Sequence, residues 1–179
     1  IYMFHGGTDF GWMNGANSNG KNYQPDTTSY DYDAPLDESG DPPAKYYLLR
    51  KAIEEATGLK PPAVPREAPR EAFPISQRML TASLWRNLPT PVKSERTLTF
   101  EDLNQSYGYL LYRTGLDTGD GGELVLNGLH DYAQVYVDQE LVGTLDRRLG
   151  TDSLEIPVQT HAARLDILVE NTARVNFGK

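Results

Sequence analysis

The 179-residue chain contains no cysteine, which removes disulfide frameworks, thiolate metal sites and cysteine nucleophiles together while leaving the compartment open. Positive charge is scarce: 17 Lys and Arg face 25 Asp and Glu, a net charge of −8. A protein that grips a phosphate backbone carries the opposite sign, so no nucleic-acid partner is expected. No apolar run approaches the roughly 18 residues that cross a bilayer, and the mean hydropathy is −0.54, so no membrane partner is expected either. The chain is too short for a whole (β/α)₈ barrel, which takes about 250 residues, yet long enough for one domain or parts of two with a sizeable core. Natural-looking ends are missing as well. Ile1 sits inside an apolar, strand-like stretch and Lys179 directly follows another, which predicts an internal piece of a longer protein with any signal peptide outside it.

What is present changes character along the chain. Ile1-Tyr2-Met3-Phe4 is a short apolar run that meets Gly6-Gly7, the pattern of a buried parallel strand ending at a loop. From Thr8 to Pro43 the chain is rich in Gly, Asn, Asp, Ser, Tyr and Pro without a sustained period, and it reads as one long loop of the kind that carries function. Asp41-Pro42-Pro43 then supplies an acidic N-cap and first-turn prolines. Leu49, Ala52, Ile53 and Ala56 fall on one helical face and Gly58 stands where a left-handed terminator belongs, so a helix is predicted over Ala44 to Thr57. Strand, long loop and helix make one β/α unit, residues 1–59.

The segment 60–74 alternates proline with Arg, Glu and Ala and has neither helical nor strand periodicity, so it reads as a semi-extended linker. Beyond it, over 75–179, the period becomes 2. Tyr107 to Thr114, Glu123 to Leu126, Ala133 to Val137, Glu140 to Leu145 and Leu165 to Glu170 read as strands of an antiparallel sandwich or jelly roll. The fold class is therefore α+β: a β/α unit, a linker and a mostly antiparallel β-domain.

Chemistry concentrates in the loop after the first strand. Residues just past a barrel strand face the active site, and paired glycines there let backbone approach a ligand. Trp12 suits a sugar, whose apolar face packs on an aromatic ring while Asn and Asp bond its hydroxyls. Trp12 and Phe10 suit equally well a role in packing the loop onto the rim, and composition leaves both readings open. His5 has no second ligand at metal spacing and reads as a structural histidine bonded locally. The carboxylates between Thr28 and Glu38 fail the EF-hand pattern, because counting from Asp31 puts Leu36 and Pro42 where Gly and Glu belong. They read as acceptors for loop backbone and hydroxyls.

Two sets of motifs carry a resemblance. The stretch from Tyr2 to Asn17, Thr28 to Leu36, and Lys45-Tyr46-Tyr47-Leu48-Leu49-Arg50 resemble the end of the catalytic barrel of family 35 β-galactosidases. Tyr107 to Thr114, Gly128 to Val137 and Leu165 to Asn171 resemble the first β-domain after that barrel, a galactose-binding-like jelly roll. The resemblance implies a retaining, exo-acting glycosidase in which one carboxylic acid protonates the leaving oxygen and a second carboxylate, about 5 Å away, attacks the anomeric carbon. It implies that both are glutamates after the fourth and seventh barrel strands, whereas this chain begins at the eighth, so no catalytic residue is assigned here. It also implies that Trp12, where relatives usually carry Tyr or Phe, lines the terminal galactose pocket, and that Asp9 replaces a usual Asn.

From the same resemblance follow a galactoside substrate, no metal and no organic cofactor, and a periplasmic, extracellular or lysosome-like compartment. The oligomeric state is left unknown. Asp138-Gln139 stands where relatives commonly have Asn-Gly; it fits a type I′ turn less well and points to a longer loop. The chain ends at Asn176-Phe177-Gly178-Lys179 where the family continues, which implies an open sheet edge. The alternative to the enzyme is a non-catalytic carbohydrate-binding or scaffolding module, against which stands the β/α unit, for which a free-standing module has no use.

Overall fold

Alternating apolar residues separated by Gly, Asp and Asn turn segments commit the second half of the chain to strands. The computed structural model describes residues 3–26, 29, 31–66, 69–74, 79 and 82–178. Among them are strands β1 (Gly15–Ser18) and β2 (Tyr23–Pro25), helix α1 (Ala44–Thr57), and strands β3 (Gly108–Leu116), β4 (Gly122–Val125), β5 (Tyr132–Val137), β6 (Glu140–Asp146), β7 (Ser153–Ile156), β8 (Ala163–Asn171) and β9 (Arg174–Gly178). The fold is thus mostly β with one helix. The chain falls into two compact units, Ile1–Phe10 with Thr27–Met79, and Gly11–Asp26 with Leu80–Lys179.

In the second unit a four-stranded antiparallel sheet runs β3-β8-β5-β6, with a β4-β7 pair and a β2-β1-β9 sheet. Its longest ladder aligns β3 and β8 from Gly108 opposite Asn171 to Leu116 opposite Ala163. Alternation then sends one set of side chains inward: Leu110, Ala133, Leu145 and Val169 gather around Phe100, while Val135, Ile156 and Leu165 form a second cluster. A third and smaller cluster, Ala16, Tyr23 and Ala173, sits under the β2-β1-β9 sheet.

Three sequence expectations are corrected in this unit. Thr8 to Pro43 is not one loop: β1 and β2 interrupt it, and β1 pairs in parallel with β9. The pattern was hidden because a short strand of Gly, Ala, Asn and Ser carries no alternation of its own and takes its order from its neighbours. Gly15 permits the pairing, since a Cβ there would stand 2.5 Å from the Asn176 side chain. The strands β7 and β9 also escaped the sequence pattern. Lastly, the β5-β6 connection is a two-residue turn and not a longer loop: Val137 pairs with Glu140, and Asp138 and Gln139 both take positive φ, 50° and 73°. The Asp138 carboxylate makes this possible, accepting the Arg164 N–H at 2.9 Å and lying 3.3 Å from His161 Nε2.

In the first unit α1 spans the predicted residues and ends at Gly58, whose φ of 68° and N–H bond to the Glu54 carbonyl make the left-handed stop. Asp41 does not cap it. Pro43 is the N-cap residue without a side-chain bond, and Asp41 instead accepts from Ser39 and pairs with Arg70. The expected strand at 1–4 is corrected too. Met3 and Phe4 carry no strand, and Ile1 and Tyr2 lie outside the described residues. One parallel bridge, His5 with Leu36, stands there, supported by the Leu36 N–H donating to the Phe4 carbonyl at 3.1 Å. A strand needs a ladder of paired residues, and the described residues offer this one point of pairing. The described residues of 60–74 are neither helix nor strand.

Candidate functional site

The loop that carries Trp12 is fixed from its far end. Tyr23 on β2 is buried, donates its hydroxyl to the Ala173 carbonyl at 2.7 Å and lies under the Arg147 guanidinium, 4.2 Å from the ring centre. Arg147 is held in turn by Asp131 at 2.8 Å, and Asp131 also accepts the Thr172 N–H at 3.0 Å. Burial pushes the Tyr23 phenol well above its ordinary value, so it stays a neutral donor. Asn14 closes the loop by donating to the Asp26 carbonyl at 2.6 Å.

On that footing Gly11, with φ of 64°, turns the chain and presents Trp12 against the outer side of β3 and β8. The Trp12 ring meets Tyr109 edge to face, centroids 5.4 Å apart. Its indole N–H donates to Glu170 Oε1 at 3.4 Å, and the Tyr109 hydroxyl donates to Glu170 Oε2 at 3.0 Å. Tyr109 and Glu170 face each other across the β3-β8 ladder, so the register brings acceptor and phenol together. Burial, with the carboxylate beside it, raises the Tyr109 phenol above its ordinary value. Trp12 keeps 38% of its surface exposed. The corner can offer a ligand an aromatic face rimmed by a carboxylate, while the indole donor is already engaged.

The other sequence candidates go elsewhere. His5 donates from Nε2 to the Glu38 carbonyl at 3.3 Å, the local bond expected of it. Phe10 is exposed. Asp31 accepts the Ala34 N–H at 3.3 Å and Asp37 accepts the Ser39 hydroxyl at 2.7 Å, the backbone and hydroxyl bonding foreseen for that segment, whereas Asp33 pairs with the Lys45 ammonium at 2.8 Å. Thr28 and Tyr30 of the same segment lie outside the described residues. Tyr109 and Glu170 escaped the sequence reading. Each looks like an ordinary strand residue, and only the pairing register shows that they meet beneath Trp12.

A mostly β unit that carries a braced, partly exposed aromatic ring thus stands in one chain with a unit built on a single helix. Residues 1–56 match the model of the glycosyl hydrolases family 35, and residues 97–179 match that of the β-galactosidase first all-beta domain. The chain is 47% identical to a β-galactosidase of Xanthomonas manihotis over 99% of its own length and 30% of that protein's. It is 41% identical to human β-galactosidase-1-like protein 2 over 100% of its length and 29% of the relative's, and 42% identical to human β-galactosidase over 99% and 27%. Both ends of the chain thus resemble parts of the family 35 β-galactosidases. The chain spans under a third of the length of these relatives.

Proposed function

We propose that the chain is part of a retaining exo-β-galactosidase that removes terminal β-linked galactose from oligosaccharides or glycoconjugates. The observation that carries this reading is the 47% identity to a β-galactosidase across 99% of the chain. On this reading residues 1–59 are the last β/α unit of the catalytic barrel, 60–74 a linker, and 75–179 the jelly-roll, galactose-binding-like β-domain. The apolar stripe of α1, which leaves Ile53 55% exposed, is then the face that packs against the rest of the barrel.

The acid and the nucleophile, both glutamates in the family pattern, lie outside this chain. The chain contributes to the terminal subsite through Trp12, whose exposed ring covers one face of a pyranose. A tyrosine at this position would offer the sugar a hydroxyl; the Trp12 N–H is spent on Glu170, so the subsite uses ring contact without that hydrogen bond. The test is an assay of the whole-length protein on a nitrophenyl β-galactoside, with the anomeric configuration of the first product followed by NMR. Release of β-galactose supports the reading. Turnover of another glycoside with galactosides untouched, or first product of the inverted configuration, overturns it.

A further inference from the structure

We infer that Glu170, with Tyr109, is the positioning element of the sugar subsite, holding the Trp12 ring at a fixed angle so that its free face meets the galactosyl ring. This rests on the reading of Trp12 as a subsite residue. The geometry is a two-point clamp on one carboxylate: Oε1 takes the indole N–H at 3.4 Å and Oε2 takes the Tyr109 hydroxyl at 3.0 Å. The Tyr109 ring supports the indole edge to face at 5.4 Å. An indole on a loop turn has two free torsions, and a single ring contact leaves one of them loose. The hydrogen bond at the far end of the indole limits it, a long contact of 3.4 Å aimed at a carboxylate oxygen.

The scaffold behind the clamp is rigid. Glu170 lies in the nine-residue strand β8, paired on one side with Tyr109 of β3 and on the other with Tyr132 of β5. Trp12 lies on a turn only two residues before Asn14, whose side chain is anchored on Asp26. An anchored turn therefore presents the ring and a central strand sets its angle, which is the division of labour that precise subsites require. The β unit thereby acquires a part in substrate recognition. Glu170 touches no reacting atom and is a positioning residue.

Two measurements test this. The first uses the present chain carrying Trp85→Phe, so that Trp12 is the sole tryptophan, and reads acrylamide quenching of its fluorescence. Glu170→Ala should raise the quenching constant about twofold; Glu170→Gln, which keeps one acceptor oxygen, should fall between, and Tyr109→Phe should raise it less than Glu170→Ala. The second uses the whole-length enzyme. Glu170→Ala should weaken competitive inhibition by galactose about three- to tenfold and raise KM while kcat changes less, the size expected of one lost hydrogen bond of ordinary strength. Glu170→Gln should recover part of the loss, which a general loss of packing would not allow.

Unchanged quenching in Glu170→Gln and Glu170→Ala overturns the inference, as does unchanged galactose inhibition when Trp12→Ala weakens it. If Glu170→Ala does not fold, Glu170→Gln, which has the same shape, decides alone by the same two readings. If Trp12→Ala itself leaves galactose inhibition unaltered, the subsite reading of Trp12 fails, and the quenching series still shows whether Glu170 holds the ring.

Discussion

The two compact units treat their apolar residues in opposite ways. In the second, Ala133 and Val135 are fully buried and Leu145 is 1% exposed. In the first, α1 has no buried residue, and Tyr47, Leu48 and Ile53 are each at least half exposed. Both segments are patterned equally well in sequence, one at a period of 2 and the other at 3.6. The contrast shows that amphipathic pattern forms an element but does not complete a core: the strands of the second unit pack on one another, while a lone amphipathic helix needs an apolar partner to cover its stripe. The largest expected effect follows from that dependence. On the proposed reading the 179-residue chain by itself turns over no β-galactoside above background, and extending it through the remaining barrel restores activity. Turnover that co-purifies with the isolated chain through successive columns and resists removal of contaminants would break the comparison.

Energetics sharpen it next. Leu145→Ala opens a cavity in a packed sheet and should cost about 2–5 kcal/mol in urea unfolding of the chain. Ile53→Ala removes a side chain that is 55% exposed and introduces a better helix former, so its effect should stay within about 0.5 kcal/mol. Equal costs would mean that the helix stripe is covered in solution and that the two units do not differ as described.

Acid separates the units as well. In the second unit the Arg96 guanidinium and the Thr99 N–H hold Asp102 well below the usual carboxylate range, and Arg148 does the same to Asp146. Arg174 lowers Glu101, and the Arg164 N–H lowers Asp138. In the first unit, among the described residues, Asp37 is lowered by the Ser39 hydroxyl. A carboxyl depressed in the folded state adds stability above its unfolded value, about 3.9 for Asp, and loses it as pH falls through that value toward the folded one. The Tm of the β unit should therefore fall steadily below about pH 5, and Arg148→Ala should flatten the fall. These pairs are mostly exposed, so raising the salt concentration should also shrink it. A Tm independent of pH down to about 3 would remove these carboxylates from the account.

How far the chain could be read without its structure follows the same division. Period and punctuation were enough for α1, stopped by Gly58, and for the long strands β3, β5, β6 and β8, because each carries its own apolar alternation. They failed where order comes from outside the segment. The strands β1 and β9 are polar or exposed and exist as each other's partners, and Met3-Phe4 has strand composition but no ladder among the described residues. The site divided likewise: Trp12 stood out by residue type and by position after paired glycines, whereas Tyr109 and Glu170 became part of it only through the β3-β8 register. Asp41 does not act as the cap because a carboxylate before two prolines has more than one use, and here Ser39 and Arg70 claim it.

The β5-β6 turn gives the smallest effect and the closest test of how a local rule is overridden. A type I′ turn requires positive φ at both central residues, and Asp138 and Gln139 adopt it, at 50° and 73°. Asp tolerates that region and here draws direct support, its N–H donating to the Arg164 carbonyl at 2.9 Å and its carboxylate accepting the Arg164 N–H at 2.9 Å. Gln139 bears the strain of a Cβ in a left-handed conformation, which costs about 1 kcal/mol. Gln139→Gly relieves that strain but also frees the unfolded chain, so the net gain should be about 0.5 kcal/mol. Asp138→Gly should lose stability instead, because it deletes the carboxylate that ties the turn to Arg164. Urea midpoints of the two variants against the parent chain measure both. A destabilised Gln139→Gly would mean that the turn is held at Gln139 by contacts of its side chain, and the override would then reside there and not at Asp138.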